Sequence, residues 1–452
     1  MICSRLARIL CGLGLLISAV RWCRASDDDQ HATLAKLNAA ILRNPKQADA
    51  YLYRGLIWQQ MGELERAVQD FGSAIRLNPR NADAYAHRAI AWQELGKLEG
   101  AVNDFGAALQ LDPRDASNYV LRGIVRNLRR EYELALKDFD RAIQIDPKNA
   151  AAFAYRGSIR QKRGELDKAL SDCNTAIQLD PKSAEAFVVR GMVWNARQDH
   201  AQALRDYDTA VKLDPRNTAA ITNRGLVRQD RGEFDLALTD YNTALELTPD
   251  AAGTLVLRGK VRQARHEYSQ ALRDFDAAVK FDPDNAETRL QRGILRNSLG
   301  KVDLAIKDWS EVVRLDPNNA AAYMQRALAW GMKEEFGKAL TDCAAALRIN
   351  PQMRPVWQLQ GWIQATCPDA RFRDGARAVP SAEKACELSD WKDALAIETL
   401  AAAYAETRDF AAALRWQKKA IAMLATSETA LADARLRLTL YEARKPFRDE
   451  SN

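Results

Sequence analysis

ADAYLYRGLIWQQMGELERAVQDFGSAIRLNPRN, residues 48–81, decides how this chain folds, because it recurs. Prolines stand at 45, 79, 113, 147, 181, 215, 249, 283, 317 and 351, each 34 residues after the last, and this ladder takes ten of the fourteen prolines. A fixed period of that length marks stacked helical units, each contacting mainly its neighbours. Tyr51, Gly55 and Trp58 are four and three residues apart and share one helix face. Ala67, Phe71, Ala74 and Ile75 repeat the rhythm in the second half. Gly62 falls between the halves, where a helix end takes a left-handed residue. Pro79 stops the second helix, and Asn81 can cap the next.

Counting positions 1 to 34 from Ala48, position 8 is Gly or Ala in nine consecutive units and position 20 is Ala in all nine, from Ala67 to Ala339. Small residues there let two helices approach closely. With an aromatic at positions 4 and 24 in most units, Ala at 27 and Pro at 32, the pattern resembles the tetratricopeptide repeat (TPR) family, of a bacterial exported type. The resemblance implies an all-α fold, a TPR right-handed superhelical solenoid of antiparallel helix pairs, and a binding style rather than a chemistry.

The chain divides in order. Residues 1–25 read as a signal peptide: Arg5 and Arg8 precede a twelve-residue apolar run, Ile9 to Val20, too short to span a bilayer comfortably. Cleavage is expected after Ala25, giving an exported chain, periplasmic or secreted; the alternative is an N-terminally membrane-anchored protein, with Arg21, Trp22 and Arg24 flanking the run. Residues 26–47 supply a capping helix with Leu37, Ala40 and Ile41 as its stripe. Nine full units occupy 48–353. An atypical tenth, 354–393, is broken at Thr366-Cys367-Pro368 by about five inserted residues. Its second helix resumes with Ala378, Ala382, Ala385 and Leu388, and Pro380 is expected in the first turn. An eleventh unit follows at 394–427. A C-terminal capping helix and tail, 428–452, close the array, with Leu431, Leu436, Leu438 and Tyr441 as the apolar stripe.

Net charge is +6, but removing the four arginines before residue 26 leaves 62 basic against 60 acidic residues, so no nucleic-acid footprint is expected. A membrane partner is expected only if the N-terminal segment stays uncleaved. Cys173 and Cys343 occupy position 24, five units apart, and Cys367 and Cys386 lie towards opposite ends of antiparallel helices; buried free thiols are the expected state. His31, His87, His200 and His266 have no second His or Cys at ligand spacing, and no phosphate-binding or nucleophile-elbow motif is present, so neither cofactor, metal nor enzyme activity is expected.

Two columns depart from the usual TPR pattern. Position 7 is Arg in all nine units, from Arg54 to Arg326, and position 23 is Asp in all nine, from Asp70 to Asp342. Both end together: unit ten has Gln360 and Ser381, unit eleven Leu400 and Trp416. The shared presence and loss predict an Arg–Asp bridge inside each unit; a ladder of arginines for an acidic ligand is the alternative reading.

The resemblance places a peptide-binding groove along the first helices, near positions 2, 5, 9, 12 and 13. Position 12 carries a side-chain amide in eight units: Gln59, Gln93, Asn127, Gln161, Asn195, Gln229, Gln263 and Asn297. An amide donates and accepts, so this column could hold an extended backbone, with the mostly apolar rows at positions 5 and 9 taking side chains. The opposing reading is a merely wet polar row. The expected function is a non-enzymatic protein–protein interaction scaffold that takes a protein partner or an extended peptide in this groove. The alternative is a targeting or regulatory subunit of a separate enzyme complex.

Overall fold

The computed structural model describes residues 27–424 and 428–449. Among them lie 24 α-helices, one short 3-10 turn and no strand. The chain divides into two compact units, Met1–Leu247 and Thr248–Asn452. The first 26 residues, and with them the expected signal segment, lie outside the described residues.

In the first unit α1 (Asp27–Arg43) precedes six helix pairs: α2 (Ala48–Gln60) with α3 (Leu64–Leu77), α4 (Ala82–Glu94) with α5 (Leu98–Leu111), α6 (Ala116–Leu128) with α7 (Tyr132–Ile145), α8 (Ala150–Lys162) with α9 (Leu166–Leu179), α10 (Ala184–Ala196) with α11 (His200–Leu213), and α12 (Thr218–Asp230) with α13 (Phe234–Leu247). In the second, α14 (Ala252–Ala264) pairs with α15 (Tyr268–Phe281), α16 (Ala286–Ser298) with α17 (Val302–Leu315), α18 (Ala320–Met332) with α19 (Phe336–Ile349), α20 (Arg354–Thr366) with α21 (Gly375–Glu387), and α22 (Ala394–Glu406) with α23 (Phe410–Met423); α24 (Glu428–Glu442) ends the array.

Each first helix packs most extensively on the second helix of its own pair, and within each unit that second helix packs on the next first helix. In seven of the nine repeats a fully buried ring at position 24 fills the space left by the small residue at position 8. A Cβ at Gly191 would stand 2.6 Å from the Tyr207 ring, and one at Gly293 2.5 Å from Trp309 Nε1. Around these rings the alanines at positions 20 and 27 are fully buried, as with Ala203 and Ala210 beside Tyr207. The expected caps are present: Asn81, Asp115, Asn149, Ser183, Asn217, Asn285 and Asn319 each accept a backbone N–H two or three residues into the following helix. Ala251, at the start of the second unit, has no side chain with which to cap.

In each of the nine regular repeats the turn between the two helices contains a left-handed residue. Gly62, Gly96, Gly164, Gly232 and Gly300 take it, but so do Arg130, Gln198, His266 and Glu334, all with φ of 61–62°.

Three terminal expectations change. Pro380 lies in the second turn of α21, not the first, because Asp374 caps the helix by accepting from Arg377 N and so starts it earlier. Leu436 is exposed; of the expected stripe on α24 Tyr441 is fully buried, and Ala434 is buried with it. On α1, Leu34 and Ile41 are the buried residues, while Leu37 and Ala40 are only half-buried. The insertion in the tenth unit replaces the usual three-residue turn with an eight-residue link, 367–374, carrying the 3-10 turn Ala370–Phe372.

Candidate functional site

The Arg and Asp columns meet inside every repeat. In all nine the position-7 arginine donates to the position-23 aspartate sixteen residues later, from Arg54 on Asp70 to Arg326 on Asp342, through Nε and NH2. The carboxylates are buried, which only such bidentate pairing makes tolerable. The third nitrogen reaches back to position 25 of the preceding repeat in several repeats: Arg54 to Asn38, Arg156 to Asp140, Arg190 to Asn174, Arg224 to Asp208, Arg292 to Asp276 and Arg326 to Ser310. In five repeats a second arginine, at position 11, joins the same aspartate: Arg126, Arg160, Arg228, Arg262 and Arg296. Burial acts to lower the Arg156 guanidinium, but its bonds to Asp172 and Asp140 outweigh this and hold it charged above its ordinary range. These cations are engaged inside the scaffold and so do not form a ladder open to an acidic ligand.

In the tenth repeat the columns continue without charge. Gln360 Nε2 donates to Ser381 Oγ at 3.2 Å, at the same two positions.

The amide column lies on the first helices, which touch one another from repeat to repeat within each unit, as α6, α8, α10 and α12 do. Gln59 is buried; the other seven amides are half-buried. The protein itself uses some of them: Gln229 Oε1 accepts from Tyr241 OH at 3.0 Å, Asn127 Oδ1 from Lys162 at 3.3 Å, and Asn195 Oδ1 meets His200 Nδ1 at 3.1 Å. Asn297 Oδ1 is buried without a hydrogen-bond partner, and the Gln59 side chain lies beside the Glu94 carboxyl. The position-5 row departs from expectation. Leu52, Val120, Ala154, Val188 and Leu290 are buried in the core between helices, so they are spent on packing. The position-9 row remains half-buried, for example Ile90, Ile124 and Met192.

The second unit shows what a first-helix face can hold. After α24 the chain turns at Arg444, with φ of 54°, and runs back without helix across the ends of α20 and α22. Phe447 lies against Trp362, ring centroids 5.9 Å apart, and the Arg437 guanidinium covers both rings. Asp449 N donates to Thr366 O at 3.0 Å, and Asp449 Oδ2 accepts from Trp362 Nε1 at 2.7 Å. Arg448 reaches Ala365 O at 3.4 Å and pairs with Glu406 at 2.7 Å. Trp362, Ala365 and Thr366 are positions 9, 12 and 13 of the tenth repeat, and Glu406 is position 13 of the eleventh. Sequence reading missed this contact; its signal was Trp362, the one aromatic in an otherwise mainly aliphatic column.

Among the described residues the free cysteines are Cys173, Cys343, Cys367 and Cys386, all buried. Burial pushes the Cys173, Cys343 and Cys386 thiols up to about 12, with the adjacent Asp172 and Asp342 adding to the rise in the first two. Such thiols are unreactive packing atoms.

Comparison with known proteins agrees with the repeat geometry. The tetratricopeptide repeat model matches eight overlapping stretches: 59–116, 88–150, 128–184, 155–220, 194–252, 222–286, 254–309 and 290–354. The chain belongs to the tetratricopeptide repeat family. Repeats of this family are in general non-catalytic scaffolds for protein interaction. Among solved structures, YrrB, described as a TPR protein with an unusual peptide-binding site, is 25% identical with a TM-score of 0.35, over 41% of this chain and 95% of that one. A tetratricopeptide repeat protein from Parabacteroides merdae is 20% identical with a TM-score of 0.42, over 55% and 98%. Yeast Tom70 is 18% identical with a TM-score of 0.35, over 88% and 96%. Overlaps this loose add nothing to what the repeats show. No curated protein matches the chain.

Proposed function

We propose that this protein is a non-enzymatic scaffold that takes an extended segment of a partner protein along the first-helix face of its repeats. The observation that carries this reading is the chain's own non-helical segment 447–449, held at groove positions of the tenth and eleventh repeats. Along the first unit, half-buried amides and the position-9 aliphatics offer the same mixture of backbone partners and apolar contact. The test is a displayed library of random peptides panned on the purified chain. Enrichment of a consensus that is lost on the Gln161→Ala, Asn195→Ala, Gln229→Ala chain supports the reading; no enrichment, or binding untouched by the triple change, overturns it. We further propose that the scaffold works outside the cytoplasm, from the basic start and short apolar run of residues 1–25. Mass spectrometry of the chain from its own cell should find Ser26 as the first residue; a membrane-bound chain beginning at Met1 would overturn this.

A further inference from the structure

The insertion in the tenth repeat leaves a gap that the tail fills. In the preceding repeats a short turn leads straight into the second helix. Here α20 ends at Thr366 and the chain leaves through an eight-residue link, so the last carbonyls of α20 are without the usual continuation. Asp374 N takes the carbonyl of Gln364. The tail takes the next two: Arg448 reaches Ala365 O and Asp449 N reaches Thr366 O. A cation at a helix C-terminus is also favoured by the aligned peptide dipoles. Beside these carbonyls Trp362 offers a ring face to Phe447 and an N–H to Asp449, and Glu406 offers a carboxylate to Arg448. Glu406 also faces Arg373 at 3.3 Å, so it keeps a partner if Arg448 leaves.

We propose that this is a peptide site with a tethered occupant: segment 447–449 closes it, and a partner's extended segment with an aromatic residue followed by arginine and an acid competes for the same five contacts. The inference rests on the peptide-binding reading above and supplies a ligand chemistry for one end of the chain. The acid supplies the backbone N–H for the α20 terminus and the carboxylate for Trp362. The arginine supplies the cation for Glu406 and the helix end, and the aromatic packs against Trp362. The tether matters because a short linker holds its ligand at a millimolar effective concentration, which weak external peptides cannot match. The tail would thus exclude casual ligands and yield to a longer partner segment that gains contacts on neighbouring repeats.

The experiment uses the full chain and a fluorescent, capped hexapeptide with the sequence of residues 444–449, RKPFRD. Anisotropy titrations compare the wild-type chain with one carrying Phe447→Ser and Arg448→Ser. The peptide should bind the substituted chain saturably and at least tenfold more tightly than the wild type, and Trp362→Ala or Glu406→Gln on that background should abolish the gain. Equal binding to the two chains, or none to a substituted chain of unchanged helicity, overturns the inference. Panning enrichment that is lost on changing Gln161, Asn195 and Gln229 is independent of this outcome, so the two readings fail separately. If the double change unfolds the cap, Arg448→Gln alone keeps Phe447 in place and carries the same comparison with a smaller gain. A concentration-dependent dimer of the wild type that the substituted chain lacks would place the tail of a second copy in the site and overturn the intramolecular assignment.

Discussion

Arg156 holds Asp172 of its own repeat at 3.0 and 2.6 Å and Asp140 of the preceding repeat at 2.7 Å. One guanidinium therefore fastens a helix pair and the seam to its neighbour. The sequence pointed to the first of these links through the matched columns, and the second emerged only in three dimensions. Removing one partner leaves the other charge partly buried and unpaired. For Arg190 and Asp206 each single change to Leu should cost about 2–3 kcal/mol, between the exposed and fully buried ranges because the guanidinium keeps some water contact. The Leu–Leu double change should recover much of either loss. A double-mutant cycle by chemical denaturation should return a coupling above about 1 kcal/mol for this pair. It should return none for Asp206 with Arg224, whose third nitrogen goes to Asp208.

Gln360 and Ser381 offer the converse experiment. Their neutral bond should be worth about 1 kcal/mol, so Ser381→Ala should lower stability by that amount. Ser381→Asp alone buries an unpaired carboxylate and should be the worst single change at this site. Adding Gln360→Arg should restore stability, because it rebuilds the pair used in the nine repeats before it. Thermal melts of the four chains give the ordering; a double variant no better than Ser381→Asp would show that the insertion has moved the two positions out of register.

Arg130 and Glu334 occupy exposed turn positions with φ of 62° and 61°, where glycine stands in five other repeats. A side chain costs roughly 1–2 kcal/mol there, and glycine gives back some of this through its looser unfolded chain. Arg130→Gly and Glu334→Gly should each raise stability by about 1 kcal/mol, while Gly96→Ala should lower it by a similar amount. Urea midpoints measured at constant m-value test all three.

On the amide face, the structure sharpens what the triple change at Gln161, Asn195 and Gln229 should do. Gln229 and Asn195 already have internal partners, so their loss also frees Tyr241 OH and His200. Calorimetry with an enriched peptide should show a loss of about 1 kcal/mol per amide that contacts the ligand, with Gln161→Ala alone giving a clean share. Circular dichroism should be unchanged.

The thiols give a pH-dependent prediction. An unfolded cysteine ionises near pH 8.5, whereas Cys173, Cys343 and Cys386 in the fold hold their protons to about 12. The folded state thus binds more protons in this interval, so its stability is fully present below about pH 8.5 and falls as pH rises from there towards 12. Replacing the three by Ala should flatten that slope. A disulfide reagent at pH 8 should leave the native chain unmodified and label all four described thiols after denaturation.

What the sequence determined by itself was everything periodic. Small residues at position 8, alanine at 20, a ring at 24 and proline at 32 each act within one turn or across one hairpin, so a 34-residue count reads them directly. The Arg–Asp bridge belongs to the same class, because its sixteen-residue spacing stays inside a single helix pair. Tertiary structure decided how each side chain divides its contacts. Position 5 looked like groove lining, but five of its nine residues are drawn into the core, since a helix wedged between two neighbours buries more of its circumference than one stripe suggests. It also decided the fate of the tail. Nothing periodic links Phe447 to Trp362, 85 residues apart in the chain. They meet because an insertion leaves the carbonyls at the end of α20 open, and a segment with an N–H and a cation to give lies within reach of them.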